Sequence, residues 1–182
     1  MKKIMIATAI VCATVVAQAA NYNWGIFDDS ISYGGVKSSG ATAYLFDNGG
    51  TTTMADIITA FANGDAFTGY IGDTDVTDGG NVYGYEGVSY DGRAGGTTWN
   101  AYMAIVDGDK LFISTLSDNI LTPSNLSPKD IMWDSQAAAS AKEFKTSGGF
   151  QGAGWYTAVP EPTSGLLLLL GVAGLALRRR RA

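Results

Sequence analysis

Apolar side chains dominate two neighbouring stretches in the middle of the chain, at 99–106 and 110–115. Asp107, Gly108 and Asp109 separate them, and these residue types favour the tight turns that join antiparallel strands. Because apolar residues fill all but one position of 99–106 and three consecutive positions of 110–115, both faces of the predicted strands should be buried. The pattern therefore predicts a β-hairpin at the centre of a sheet.

Shorter apolar or alternating stretches predict further strands at 23–27, 42–46, 67–71, 81–90 and 154–159. Clusters of glycine, aspartate and asparagine lie between them and indicate turns. Several short strands separated in this way are typical of an all-β domain. We therefore expect a mainly β fold, a single β-sandwich or barrel-like domain with one or two short helices.

Helical spacing predicts one clear helix over 53–63. Thr53 can cap its first turn, and Asp56 is placed to return the bond to the cap. An alanine-rich stretch at 134–144 predicts a second helix, capped by its first residue. The apolar residues of the first helix fall on one face and should pack into the core: Met54, Ile57, Ile58 and Phe61.

The first residues have the layout of a secretory signal peptide. Two lysines precede an apolar stretch at 4–16, and Ala17 and Ala19 provide the small side chains that a signal peptidase accepts. We expect a signal helix over 1–19 and cleavage after Ala19. A permanent N-terminal anchor is disfavoured because the apolar stretch is short.

Charge and composition exclude several kinds of chemistry from the body, which we define as residues 20–158. It contains six basic and 16 acidic residues, a net charge of −10 that disfavours nucleic-acid binding. It contains no histidine and no cysteine, which excludes common zinc sites, cysteine nucleophiles and histidine-dependent triads. A carboxylate-dependent hydrolase stays open, but the pattern selects no pair of acids. We expect no enzyme.

A stretch rich in glycine and aspartate at 72–87 resembles part of a calcium-binding loop. Neither possible alignment supplies the full set of ligands, so a polar turn is the preferred interpretation. We expect no cofactor, and weak calcium binding is the alternative hypothesis. Its ligands would be Asp73, Asp75, Asp78 and Glu86.

Aromatic residues are the second candidate for a binding function. Tyr83 and Tyr85 would share one face of a strand, with Tyr90 nearby. Such rings could form a platform on which a glycan stacks, although filling the core is their more common role. The tryptophans that could take part are Trp24, Trp99, Trp133 and Trp155.

The final residues, 159–182, combine three features. Pro160, Glu161 and Pro162 favour an extended, accessible segment, because proline is excluded from helix interiors. The apolar stretch 165–177 predicts a hydrophobic helix of about 20 Å, shorter than the hydrocarbon core of about 30 Å. We therefore expect only transient anchoring in the inner membrane. Four arginines follow and should stay on the cytoplasmic side: Arg178, Arg179, Arg180 and Arg181.

In their order and types, these residues resemble the PEP-CTERM sorting signal of Gram-negative bacteria. The resemblance implies that an exosortase in the inner membrane recognises the tail and cuts at or near Pro160, Glu161 and Pro162. The released protein would go to the cell surface or the extracellular matrix, where it could contact exopolysaccharide. The resemblance covers 24 of 182 residues and specifies sorting without specifying an activity.

The expected organisation is a signal peptide at 1–19, a β-rich secreted domain at 20–158 and a sorting signal at 159–182. We expect the body to be a structural or interaction module without catalysis. The alternatives are a glycan- or calcium-binding module displayed at the surface, or a carboxylate-dependent hydrolase.

Overall fold

The computed structural model describes residues 19–26, 30–77, 79–124, 127–133 and 136–159. Residues 1–18 of the expected signal helix at 1–19, and the expected hydrophobic helix at 165–177, lie outside these ranges. Within the described part of the chain, no helix has the length and apolar character needed to cross a membrane. The elements are β1 (Ala20–Ile26), β2 (Ser32–Tyr33), β3 (Val36–Lys37), β4 (Thr42–Asp47), α1 (Met54–Asn63), β5 (Gly72–Thr77), β6 (Asn81–Tyr90), β7 (Thr98–Trp99), β8 (Ala101–Asp107), β9 (Lys110–Ile113), β10 (Ile120–Leu121), β11 (Lys129–Met132), α2 (Ala137–Ser140), β12 (Glu143–Lys145) and β13 (Gly154–Thr157).

Nine of these strands form one sheet in the order β11-β1-β6-β5-β4-β8-β9-β13-β12. The sheet is strongly curved. Trp133, which follows β11, donates from Nε1 to the carbonyl oxygen of Thr115, which follows β9, at 2.9 Å. In a flat sheet these two strands would lie about 29 Å apart, six spacings of about 4.8 Å. The predicted mainly β fold is confirmed, and its nine-stranded sheet bends so that β11 approaches the end of β9.

The two faces of the sheet bury separate hydrophobic clusters. Ala43 and Leu45 of β4 point into the cluster that contains Trp24 and Trp155, which we call the inner cluster. Phe46 points into the cluster that contains Ile57 and Ile58, which we call the outer cluster. This division follows from the alternation of side chains along a strand. Strands β8 and β9 lie between β4 and β13 and contribute to both clusters. The hairpin predicted at the centre of the sheet is confirmed, with Asp107 paired to Lys110 at its turn.

Helix α1 covers the outer cluster and forms as its sequence predicts. The Thr53 side chain accepts from the backbone N–H of Asp56, and the Asp56 carboxylate accepts from the N–H of Thr53, a complete capping box. Gly64 ends the helix in the left-handed conformation with φ of 75°. Ile57 and Ile58 are buried against the sheet, so the predicted apolar face is confirmed.

One predicted strand is wrong, and the second predicted helix is shorter than predicted. Residues 67–71 form no strand, because Gly69, with φ of 73°, turns the chain. Phe67 instead packs against the ring of Tyr44 on the outer face of the sheet. The strand begins at Gly72. The second helix is confined to α2 (Ala137–Ser140), since the chain then pairs in parallel with β13, Glu143 opposite Trp155. The proposed cap at 134 lies outside the described residues.

Candidate functional site

A groove lies between the C-terminal end of α1 and the outer face of the sheet. Its volume is about 360 Å³, within the range of small-ligand sites. Phe61, Asp65 and Phe67 line it from the end of α1 and the segment after it, and Tyr44 and Asp109 line it from the sheet side. We call this feature the groove.

The aromatic wall of the groove is built by β4 and the segment after α1. Tyr44 points to the outer face of the sheet because its neighbours Ala43 and Leu45 point inward. Its ring contacts Phe67 and Tyr70 edge to face, with centroids 5.2 Å apart in both pairs. Tyr70 is 41% exposed, so ring surface is available beside the groove.

The polar groups of the groove are two carboxylates and one phenol. Burial, followed by the charge of Asp73 and the neighbouring Tyr70, raises the pKa of the Tyr44 hydroxyl, so Tyr44 is neutral at physiological pH. Lys110 donates to the Asp109 carboxylate at 2.7 Å, and this hydrogen bond lowers the pKa of Asp109. The wall can therefore offer apolar ring surface, while the carboxylates accept hydrogen bonds from a polar ligand.

One carboxylate is buried among the described residues, and it is fully engaged. Asp47 accepts two hydrogen bonds from Arg93 and one from the Tyr90 hydroxyl, each at 2.7 Å. The backbone N–H of Gly49 donates a fourth at 2.8 Å. Burial acts to raise the pKa of Asp47, but these hydrogen bonds outweigh it and lower the pKa. These four hydrogen bonds form a structural network, and they leave neither carboxylate oxygen of Asp47 available to a ligand.

Two of the four residues in the calcium hypothesis have described side chains. Asp73 and Asp75 lie on β5, both exposed, and pair across the sheet with Tyr44 and Thr42. Asp78 lies outside the described residues, and the side chain of Glu86 on β6 is not among those described. Within the described part of the chain, no three acidic side chains converge on a common metal position.

The four tryptophans are core residues, at most 4% exposed. Trp155 donates from Nε1 to the carbonyl oxygen of Ser32 at 2.6 Å, which ties β13 to β2. The proposed glycan-stacking platform of tryptophans is therefore wrong, and the alternative that they fill the core is confirmed. The Tyr90 hydroxyl is bound to Asp47, and the side chains of Tyr83 and Tyr85 are not among those described.

The sorting residues lie beyond the end of the described chain. Pro160, Glu161, Pro162 and the arginines from 178 to 181 are outside the described residues, as is Ala17; Ala19 is half-buried just before β1. The last described residues are Ala158, which also lines the groove, and Val159. The groove and the start of the sorting signal are thus adjacent. Sequence reasoning did not find the groove, because its walls come from segments far apart in the chain.

Comparison with known proteins identifies the tail. Residues 158–181 match the PEP-CTERM protein-sorting motif, which confirms the resemblance drawn from the residues. The motif implies an exported protein that exosortase recognises and that is sorted to the cell surface of a Gram-negative bacterium. No curated protein and no solved structure shows significant similarity to the chain.

Proposed function

We propose that the body is a structural or interaction domain without catalysis or cofactor, delivered to the cell surface or matrix after a signal peptidase and an exosortase have removed its ends. The match of residues 158–181 to the sorting motif carries the delivery part of this proposal. Asp47 itself is not available to a substrate, because its two oxygens are occupied by Arg93, Tyr90 and Gly49. In this proposal the hydrophobic segment anchors the protein in the inner membrane only until it is cut.

The experiment is intact-mass measurement of the protein recovered from each cell fraction of a Gram-negative host that carries an exosortase. We expect loss of residues 1–19 and of the chain beyond the Pro160–Pro162 region. Replacing Pro160, Glu161 and Pro162 together by alanine should keep the tail and retain the protein in the inner membrane. Glu143→Ala, a change of an exposed glutamate in the body, is the control and should be processed normally. Wild-type protein that keeps its tail in the inner membrane would contradict the proposal.

The groove favours a second candidate function, binding of a neutral saccharide. Sugar rings present apolar C–H faces that pack on aromatic rings, and Tyr44 and Phe67 offer such rings in a groove of about 360 Å³. Asp65 and Asp109 line the same groove and can accept hydrogen bonds from sugar hydroxyls. The net charge of −10 on the body disfavours a polyanionic glycan.

Calorimetric titration with neutral tetrasaccharides tests this second function. We expect millimolar to micromolar binding that Tyr44→Ala reduces at least tenfold. Phe150→Ala removes an aromatic side chain that is 41% exposed away from the groove, and it should leave binding unchanged. Equal loss in both variants would overturn the assignment to the groove. Release of reducing ends would indicate hydrolysis instead, since two carboxylates line the groove.

A further inference from the structure

The chain stays bonded to the body up to the residue before Pro160. Strand β13 ends at Thr157. Beyond it, the N–H of Ala158 donates to the carbonyl oxygen of Asp109 at 3.2 Å, and the N–H of Val159 donates to Oγ1 of Thr146 at 3.4 Å. The sorting match begins at residue 158. The last two residues held by the body are therefore also the first two residues of the sorting motif.

The connection between the body and the apolar segment is short. Six residues lead from Val159 to Gly165, and fully extended they reach at most about 20 Å. A domain of about 140 residues has a radius of gyration of about 14 Å, so the connection is shorter than the body is wide. The face around Ala158 and Val159, which we call the exit, must therefore lie towards the membrane when the apolar segment is inserted.

We infer that cleavage by exosortase requires Ala158 and Val159 to leave the body, so that the exit limits the rate of processing. This inference rests on the proposed function. A peptidase that cuts near Pro160–Pro162 must reach the chain on both sides of the bond, and the N-terminal side is still held at the exit. Both hydrogen bonds are long, and Val159 is 38% exposed. Release is thus a local opening at the end of β13, with the rest of the sheet intact.

Thr146 is the residue through which the body holds the exit. It is 6% exposed, and its hydroxyl donates to the carbonyl oxygen of Thr157 as it accepts from Val159. Proteolysis through a local opening follows the population of the open state when opening is faster than cutting. A variant that removes this hydroxyl should therefore be processed faster.

The test is a time course of processing in the exosortase host, followed by intact mass of the full chain. Insertion of Gly-Ser-Gly-Ser between Val159 and Pro160 frees the cleavage region and should raise the initial rate at least threefold. Thr146→Val keeps the shape of the side chain without the hydroxyl and should raise the rate about two- to fivefold. Thr146→Ser keeps the hydroxyl and should be processed at the wild-type rate.

The outcomes separate this inference from the proposed function. Insertion and wild-type proteins cut at equal rates would overturn the role of the exit while leaving exosortase processing in place. A tail retained by every variant, wild type included, would overturn the proposed function and the inference with it. Thermal melting of each purified body reports whether Thr146→Val still folds. If Thr146→Val does not fold, the insertion variant alone tests the role of the exit, because the insertion changes no residue of the body.

Discussion

Arg93 and Asp47 form a two-point ion pair, with Nε and Nη2 of the guanidinium each 2.7 Å from a different carboxylate oxygen. Asp47 ends β4 and is 4% exposed, whereas the Arg93 side chain is 29% exposed in the loop after β6. The pair joins positions 46 residues apart. It therefore ties the loop to the end of a central strand.

Replacing Arg93 by methionine should lower the free energy of unfolding by about 2–3 kcal/mol, because it leaves a buried carboxylate without its cation. Urea unfolding at neutral pH measures the change. Asp109→Asn is the control, since it breaks the ion pair with Lys110 in which Asp109 is 78% exposed. That change should cost much less, because solvent screens an exposed pair. Equal losses in both variants would mean that the buried pair contributes no more than a surface pair.

Asp47 should also make the body sensitive to acid. Burial acts against the charged form, but the hydrogen bonds from Arg93, Tyr90 and Gly49 lower the pKa below its ordinary value of 3.8. Below that value the unfolded chain takes up a proton before the folded one does, so the stabilisation present at neutral pH is lost as pH falls through the folded pKa.

Urea unfolding of wild type and Asp47→Asn between pH 7 and pH 2 tests this dependence. The difference in unfolding free energy between them should be largest at neutral pH and should shrink below the ordinary pKa of 3.8. Asp118→Asn changes an exposed residue and should follow the wild-type profile. A difference that stays constant with pH would show that the charge of Asp47 has no role in stability.

Thr53→Ala should destabilise the body by about 1 kcal/mol, because it removes the capping oxygen from α1 and the outer cluster depends on that helix. Thermal or urea unfolding gives the value. Thr59→Ala is a matched control on the same helix, where the exposed hydroxyl donates only to the carbonyl oxygen of Ala55. It should be neutral, since alanine is the better helix former. A cost for Thr59→Ala as large as for Thr53→Ala would contradict the capping role.

Gly80→Ala should cost at least about 2 kcal/mol, because two unfavourable effects combine. Gly80 has φ of 77°, and a Cβ there would lie 2.5 Å from the carbonyl oxygen of Ile31. Gly108 has φ of 60° with open space around it, so Gly108→Ala should cost only about 1 kcal/mol. Comparing urea midpoints of the two variants separates the close contact from the backbone effect, and equal midpoints would rule the contact out.

Millimolar calcium should shift the melting temperature by less than about 1 °C, because a ligand stabilises a fold only when it binds the folded state. Asp73 and Asp75 lie side by side on the exposed face of a strand, where the backbone carbonyls are engaged with β4. Differential scanning calorimetry with calcium and with a chelator provides the measurement. A rise of several degrees that is lost in Asp73→Asn would restore the calcium hypothesis.

Local signals predicted the elements that depend on neighbouring residues. The cap at Thr53 and the stop at Gly64 act within a few residues of the helix they bound. The turn at Gly108 joins two strands that pair directly. The β content, one helix and the hairpin could therefore be predicted. The groove could not, because Tyr44 and Asp109 come together only when β4 pairs with β8, the strand that leads into the turn at Asp109.

The amino-acid sequence by itself determined the capped helix, the central hairpin and the sorting tail, because each depends on contacts or recognition within one continuous segment. Only the tertiary structure decided that 67–71 is not a strand and that 143–145 is not a helix. In both places, pairing and packing with residues distant in the chain outweigh weak local preferences. The same reason explains why Asp47 is a locked structural carboxylate: its partners Tyr90 and Arg93 reach it only after the sheet has formed.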